Sequence, residues 1–250
     1  MCGRFTLRAP AKVVAEQFCL FEVEPFTPRF NIAPTQPVAV VRCPVARKEQ
    51  PSHLMGATGA DRPVDPAAGP PAPPDRELVW LRWGLLPRWA TESNIASRLI
   101  NARAESVMDK PAYRGAFQRR RCLMVADGFY EWQKVGSGKQ PYFIHMRDDR
   151  PFAFAAIWEA WENAGEGRIE SAALLTTESN ALIAPIHNRM PVILDPKHYA
   201  YWLDVSIRDP EGLLALLRPY PPEKMAAYPV SSYVNNPAHD DPRCIQRAAG

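Results

Sequence analysis

The period of hydrophobic and polar positions along this chain changes several times, and each change marks an element. Val13, Val14, Phe18 and Leu20 recur near helical spacing, which predicts a short first helix over Ala11 to Leu20 after an extended start. The run PVAVVR (Pro37 to Arg42) reads as a strand. In ELVWLRWGLLPRW, Leu78, Trp80 and Arg82 alternate with Val79, Leu81 and Trp83, the pattern of a largely buried strand that closes at Gly84 and Pro87 and delivers a tryptophan loop. Pro111 suits a first helical turn and the basic run Arg119, Arg120, Arg121 suits a last one, so a helix is expected between them. CLMVADGFYEW and PYFIHMR read as two strands joined by the turn-rich QKVGSGKQ, and RPFAFAAIWEAW and ESAALLTT as two more, a meander of four. After it, TESNALIAPIH predicts a short helix capped by Thr177 or Ser179, NRMPVIL a strand, and HYAYWL and PEGLLALLR two late helices.

Strands in runs with a few helices, and no regular βαβ alternation, predict an α+β fold with a largely antiparallel sheet. The chain is 250 residues long and 46% hydrophobic, enough to bury a real core and to exclude wholesale disorder. One domain is favoured over two, since strand-rich folds run to about 250 residues as one unit. One stretch cannot join that core. Between Arg47 and Asp75 the chain is crowded with Pro, Gly and Ala, a composition that supplies neither packing nor a ladder and predicts a mobile surface insertion. No apolar run approaches the roughly 20 residues that cross a bilayer, and the start MCGRFTLRAP lacks the apolar stretch of a signal peptide, so a soluble cytoplasmic protein is expected, with no membrane partner.

The five cysteines are odd in number and widely spaced, with no CxxC pair and no His/Cys cluster of ligand spacing, so neither a disulfide framework nor a metal site is expected. No nucleotide-binding or hydrolase motif is present either. The net charge of +3 becomes informative once localised, because residues 82 to 121 hold nine Lys/Arg against three Asp/Glu. The cations are mostly Arg, whose planar fork suits phosphate. A solvated basic face in an Arg-favouring composition is the competing account.

Cys2 carries the most chemistry. A starter Met is normally removed before so small a residue, which leaves an α-amine and a thiol on one residue, a 1,2-aminothiol. With a pKa of about 7.7 to 8.0, that amine is far more available as a nucleophile at neutral pH than a lysine at about 10.4. It can attack an aldehyde, and the thiol is then placed to close a five-membered thiazolidine. On its own, Cys2 is equally readable as an ordinary early residue.

Five further segments bear on the choice: RFNIAPTQ (Arg29 to Gln36), WGLLPRW (Trp83 to Trp89), INARAES (Ile100 to Ser106), ADGFYEW (Ala126 to Trp132) and IHNRMPVIL (Ile186 to Leu194). They are polar or aromatic where plain core strands would be aliphatic. Together with MCGRF they resemble the SOS response-associated peptidase (SRAP) family, whose members crosslink to abasic sites in single-stranded DNA. The resemblance runs from Cys2 to about Val234, and it implies a single domain over 2–235 with a curved or barrel-like sheet core, several short helices and a tail over 236–250. It also implies residue roles. Cys2 matches the residue that forms the thiazolidine with the ring-opened sugar aldehyde, Asn101 an amide beside the crosslink, Glu131 a carboxylate that moves protons during ring opening, and His187 a histidine that shuttles protons and promotes reversal. Arg4, Arg103 and Arg189 match positions that hold phosphates flanking the lesion, and Leu86 with Trp89 matches an apolar wedge against the bases. No cofactor is implied, the partner is single-stranded DNA carrying an abasic site, and the protein is expected to be monomeric and nucleoid-associated when bound. Strand cleavage by β-elimination through the imine is an expected side activity. A cysteine peptidase or N-terminal-nucleophile amidohydrolase, using Cys2, His187 and Glu131, is the alternative. A noncatalytic single-strand binder would leave the MCGRF start unexplained.

Overall fold

The computed structural model describes residues 2–44 and 76–248, and the expected insertion at 47–75 lies outside the described residues. In chain order the strands are β1 (Phe5–Leu7), β2 (Arg29–Ile32), β3 (Pro37–Arg42), β4 (Glu77–Trp83), β5 (Asn101–Arg103), β6 (Arg121–Ala126), β7 (Gly128–Val135), β8 (Gly138–Met146), β9 (Phe152–Asn163), β10 (Gly167–Glu178), β11 (Arg189–Pro191), β12 (Ile193–Leu194) and β13 (Met225–Pro229). The α-helices are α1 (Ala11–Phe18), α2 (Pro111–Arg119), α3 (Tyr199–Leu203) and α4 (Pro210–Ala215). The expected α+β class holds. Among the described residues no helix is long and apolar enough to cross a membrane.

Five strands close on themselves. β3 pairs with β4 and β6, β6 with β9, β9 with β10, and β10 returns to β4 in parallel through Ser171↔Arg82 and Ala172↔Trp83. A barrel so closed leaves no free sheet edge around its wall. The alanines of β9 and β10 (Ala153, Ala155, Ala156, Ala172 and Ala173) are fully buried, and their small side chains suit the crowded wall of a narrow barrel. The second sheet, in the order β13-β8-β7-β1-β2, lies against it. Phe5 of β1 joins the two, its ring 5.1 Å from that of Trp83 and 5.8 Å from that of Phe154. Phe129 of β7 adds an edge contact with Phe154 at 5.9 Å. Each such fully buried ring contributes about 1.5–3 kcal/mol by leaving water, so this aromatic cluster is a principal tie between the sheets.

Several predicted elements are divided or replaced. CLMVADGFYEW is two strands in different sheets, β6 in the barrel and β7 in the second sheet, so the expected meander of four is not continuous. The break falls at Asp127, a buried carboxylate that accepts hydrogen bonds from the Thr6 hydroxyl, the amides of Arg8 and Ala9, and Arg8 Nε. Gly128 follows because a Cβ there would stand 2.2 Å from the Phe143 ring. The helix begun at Pro111 stops at Arg119, and Arg121 opens β6, buried. No α-helix forms between β10 and β11, and β10 itself runs through Thr177 to Glu178. Asn180, not Thr177 or Ser179, accepts the amides of Leu182 and Ile183, and the chain continues to His187 as turns that include Pro185. NRMPVIL is divided at Val192, whose amide donates to Leu175 while its carbonyl accepts from Ala155, so β11 pairs with β10 and β12 with β9.

The stretch after 235, expected from the sequence as a tail, is tied to the rest of the fold at several points. Asp240 accepts from Arg29 Nε and from the amides of Phe30 and Asn31, Cys244 is fully buried, and Arg247 bridges to Val230.

Candidate functional site

β1 and β7 pair antiparallel with Phe5 opposite Phe129, and the Tyr130 amide donates to the Arg4 carbonyl at 3.0 Å. Continuing that register sets Cys2 and Gly3 beside Glu131 and Trp132. Parallel pairing of β5 with β10 holds Asn101 opposite Leu174 and Arg103 opposite Thr176, while β11 puts Arg189 opposite Glu178 on the same strand. Cys2 and Asn101 meet directly, because Asn101 Nδ2 donates to the Cys2 carbonyl at 2.9 Å. The loop that carries His187 is tied to the strand that carries Glu131 by Gln133 Nε2, which donates to the Pro185 carbonyl at 3.0 Å. Segments from five parts of the chain thus converge on one place.

Environment sets the chemistry of each group. Cys2 is fully buried, and its thiol pKa is pushed well up, first by desolvation and then by the negative charge of Glu131. Glu131 is 2% exposed, and burial raises its carboxyl to about 7, with the charge of the chain's amino terminus acting the other way. A carboxylic acid so placed gains and loses a proton near neutral pH. The Asn101 amide is oriented by its bond to Cys2, and its Oδ1 is buried with no hydrogen-bond partner among the described residues. Such an orphaned acceptor is costly and uncommon in a protein at rest, and it suits a donor that arrives with a substrate. The Asn101 carbonyl itself is held by the Tyr113 hydroxyl of α2 at 3.1 Å.

His187 is half-buried, and burial lowers its pKa, with the amino-terminal charge acting in the same direction. Its Nδ1 lies 3.0 Å from the Arg189 amide and 3.2 Å from the Arg189 carbonyl, which together fix the ring against the start of β11.

The residues expected to face DNA differ among themselves. Arg103 is exposed. Arg4 is spent on the protein: its guanidinium donates to Asn31 Oδ1 and the Val234 carbonyl at 2.9 Å and to the Asn235 carbonyl at 3.2 Å. Arg189 forms a bidentate pair with Glu105, at 2.6 and 2.9 Å, and also donates to the Thr176 carbonyl at 2.7 Å. That pair holds the Glu105 carboxyl below its usual range, mainly through the hydrogen bond from Arg189. Trp89 is 59% exposed, but Leu86 is fully buried against Ala96 and Trp161, with its amide on Ser171 Oγ. Leu86 is therefore packing, and of the expected wedge only Trp89 is available to a base. The basic surplus of 82–121 is likewise not one face, since Arg121 is buried and Arg88 and Arg120 both bond the buried carboxylate of Glu159.

Sequence reasoning missed Glu105, although it stands within the quoted INARAES segment, because nothing in linear spacing links it to Arg189. It also missed the 234–239 loop. Asn31 Nδ2 holds that loop through the carbonyls of Val234, Asn236 and His239, and Trp132 Nε1 donates to Asn235 Oδ1 at 2.8 Å.

Residues 1–237 match the family model described as SOS response associated peptidase (SRAP). Over 250 residues the chain is 34% identical to the abasic site processing protein YoqW of Bacillus subtilis (strain 168), covering 98% of this chain and 99% of that protein. It is 33% identical over 195 residues to the abasic site processing protein HMCES of Gallus gallus, covering 68% of this chain and 57% of that protein. A crystal structure of a protein from Bordetella bronchiseptica, 22% identical, superposes with a TM-score of 0.70 over 92% of this chain and 100% of that one, a likeness of fold.

Proposed function

The chain belongs to the SOS response associated peptidase (SRAP) family, and on that premise we propose that it processes abasic sites in single-stranded DNA by a covalent crosslink through Cys2. The observation that carries this reading is the meeting, at Cys2, of a buried carboxyl that titrates near 7 with an amide whose oxygen has no partner. With Met1 removed, the Cys2 amine attacks the C1 aldehyde of the ring-opened sugar and water leaves, giving an imine. The thiol then adds across the C=N bond, its proton passing to nitrogen, and the thiazolidine is closed. Glu131 gives and takes the protons of ring opening and dehydration. Asn101 Oδ1 accepts from a sugar hydroxyl or from the Cys2 nitrogen, and His187 Nε2 donates at the same sugar. Arg103 pairs with a flanking phosphate, and Trp89 stacks on a neighbouring base. Should the imine lose the 3′ phosphate by β-elimination before the thiol adds, the strand is cut, so lyase activity is a side reaction of the same intermediate.

The test is denaturing electrophoresis after mixing the protein with a single-stranded oligonucleotide carrying one abasic site. A heat-stable shifted band is expected. Cys2→Ser retains an amine that borohydride can trap as the imine but gives no stable ring. A variant with one residue retained before Cys2 loses both products, and the proposal is wrong if that variant crosslinks at the native rate.

A further inference from the structure

A second cleft, of about 260 Å³, lies between α2 and the α3 to α4 region. Tyr113 faces the site on Cys2 and Asn101, and Phe117, one turn later on the same helix, lines this cleft. Its floor includes Phe117, Ile207 and Leu213, and its cations are Arg119, Arg121 and Arg208, with no Asp or Glu among the residues that line it. Of the carboxylates nearby in sequence, Asp204 accepts from the Ser206 amide and hydroxyl and Asp209 from the Tyr201 hydroxyl, while Asp109 and Glu211 are exposed and do not line the cleft. Arg121 is 1% exposed and donates only to backbone carbonyls, those of Trp202, Phe117, Gln118, Asp204 and Ile207. Its hydrogen bonds are satisfied, and among the described residues it makes no ion pair, although the Asp204 carboxylate acts on its charge from further off. Arg208, tethered to the Gln118 carbonyl at 2.9 Å, and Arg119 stand exposed at the rim.

We propose that this cleft docks an acidic peptide segment of a partner protein, with one apolar side chain on the floor and flanking carboxylates on the rim arginines. Charge complementarity selects the occupant: an apolar floor under an uncompensated cationic rim favours an anchor residue within an acidic run. A nucleic-acid strand fits less well. Phe117 is 1% exposed, with its ring edge-on to Trp202, so the floor has no open aromatic face for a base to stack on. Arg121, all five of its N–H donors used, has no fork left for a phosphate. The cleft also lies apart from Cys2, so a bound partner leaves the proposed lesion site open.

The experiment uses the full chain and a fluorescein-labelled peptide of about ten Asp and Glu residues ending in Phe, followed by fluorescence anisotropy. Saturable binding is expected, weakened at least tenfold in Arg208→Glu and in Arg119→Glu, and similarly weakened when the peptide's Phe is replaced by Ala. Two rim variants are used because Arg208→Glu also removes the bond to Gln118. An unlabelled oligothymidine should not displace the peptide, and both variants should crosslink an abasic oligonucleotide at wild-type yield, so this inference and the proposed function fail separately. Absence of saturable binding up to millimolar protein, indifference to both rim variants, or displacement by the oligonucleotide would overturn it, the last by assigning the cleft to DNA.

Discussion

Replacing Glu131 by Gln tests the electrostatic core of the site without changing its shape. Burial raises the carboxyl from its ordinary 4.5 to about 7, a difference worth roughly 3 kcal/mol at about 1.4 kcal/mol per pH unit. Because the folded state holds this proton more tightly than the unfolded chain, the stabilisation is fully present below pH 4.5. It is lost as pH rises through about 7, above which the folded protein carries a buried carboxylate at its full cost. A glutamine never ionises. Glu131→Gln should therefore gain on the native protein as pH rises from 5 to 8, by up to about 3 kcal/mol, or roughly 6–12 °C in melting temperature for a chain of this size. Thermal unfolding of both proteins across that range checks the stability, and single-turnover capture of an abasic oligonucleotide checks the chemistry. The native rate should show an inflection near pH 7 that the variant lacks. A melting-temperature difference that stays constant from pH 5 to 8 would falsify the assignment of a buried, raised carboxyl, and an unchanged inflection in the variant would remove Glu131 from proton transfer.

Leu86→Ala should destabilise the fold by about 2–5 kcal/mol in chemical denaturation, as expected of a buried leucine beside Trp161. Trp89→Ala should leave stability unchanged and weaken binding to single-stranded DNA by about 1–3 kcal/mol in a fluorescence titration. Arg103→Ala should lower the slope of log affinity against log salt by about 0.7, the loss of one phosphate contact to a single strand, whereas an unaltered slope would release Arg103 from that role. Asp127→Ala should cost about 3–5 kcal/mol in unfolding free energy, because it strips a buried carboxylate from the Arg8 guanidinium, two amides and the Thr6 hydroxyl, and a loss below 1 kcal/mol would refute its place at the crossing of the sheets.

What could be read from the sequence followed from local physics. The long apolar runs of β3, β9 and β10 report burial directly, α1 lies near its helical spacing and α2 between its end signals, whereas β4, expected to be largely buried, buries only Leu81 and Trp83. Barrel closure is invisible in the same pattern, because a parallel contact between Arg82 and Ser171 joins residues far apart in sequence. The division of CLMVADGFYEW has the same origin. An apolar run looks alike whether it stays in one sheet or changes sheets, and only Asp127, with four donors gathered from the first strand and its exit, marks the change. The tight turns from Asn180 to His187 defeat helical periodicity because one side-chain amide caps two backbone donors and Pro185 can supply none.

At the site, residue types announced the chemistry while pairing decided how much of it is available. Cys2, Asn101, Glu131 and His187 were singled out as an amine and thiol, an amide, a carboxylate and an imidazole, and the fold draws their segments together through β1, β5, β7 and the loop before β11. The arginines come from the resemblance, and a sequence match carries no information on what each guanidinium is already bonded to. A guanidinium already bidentate on Glu105 contributes little net field to an approaching strand, and Arg4 has given its donors to Asn31 and the 234–235 carbonyls. A phosphate that takes up Arg189 must compete with Glu105 for it, so engagement there carries a cost that Arg103 does not bear. Of the residues expected to face DNA, Arg103 and Trp89 are the exposed ones, while beside Cys2 the positive charge of the amino terminus bears on Glu131. The balance there sets the chemistry: the amino-terminal charge draws the Glu131 pKa down, burial outweighs it, and the carboxyl ends near 7, where a general acid can both carry and release a proton.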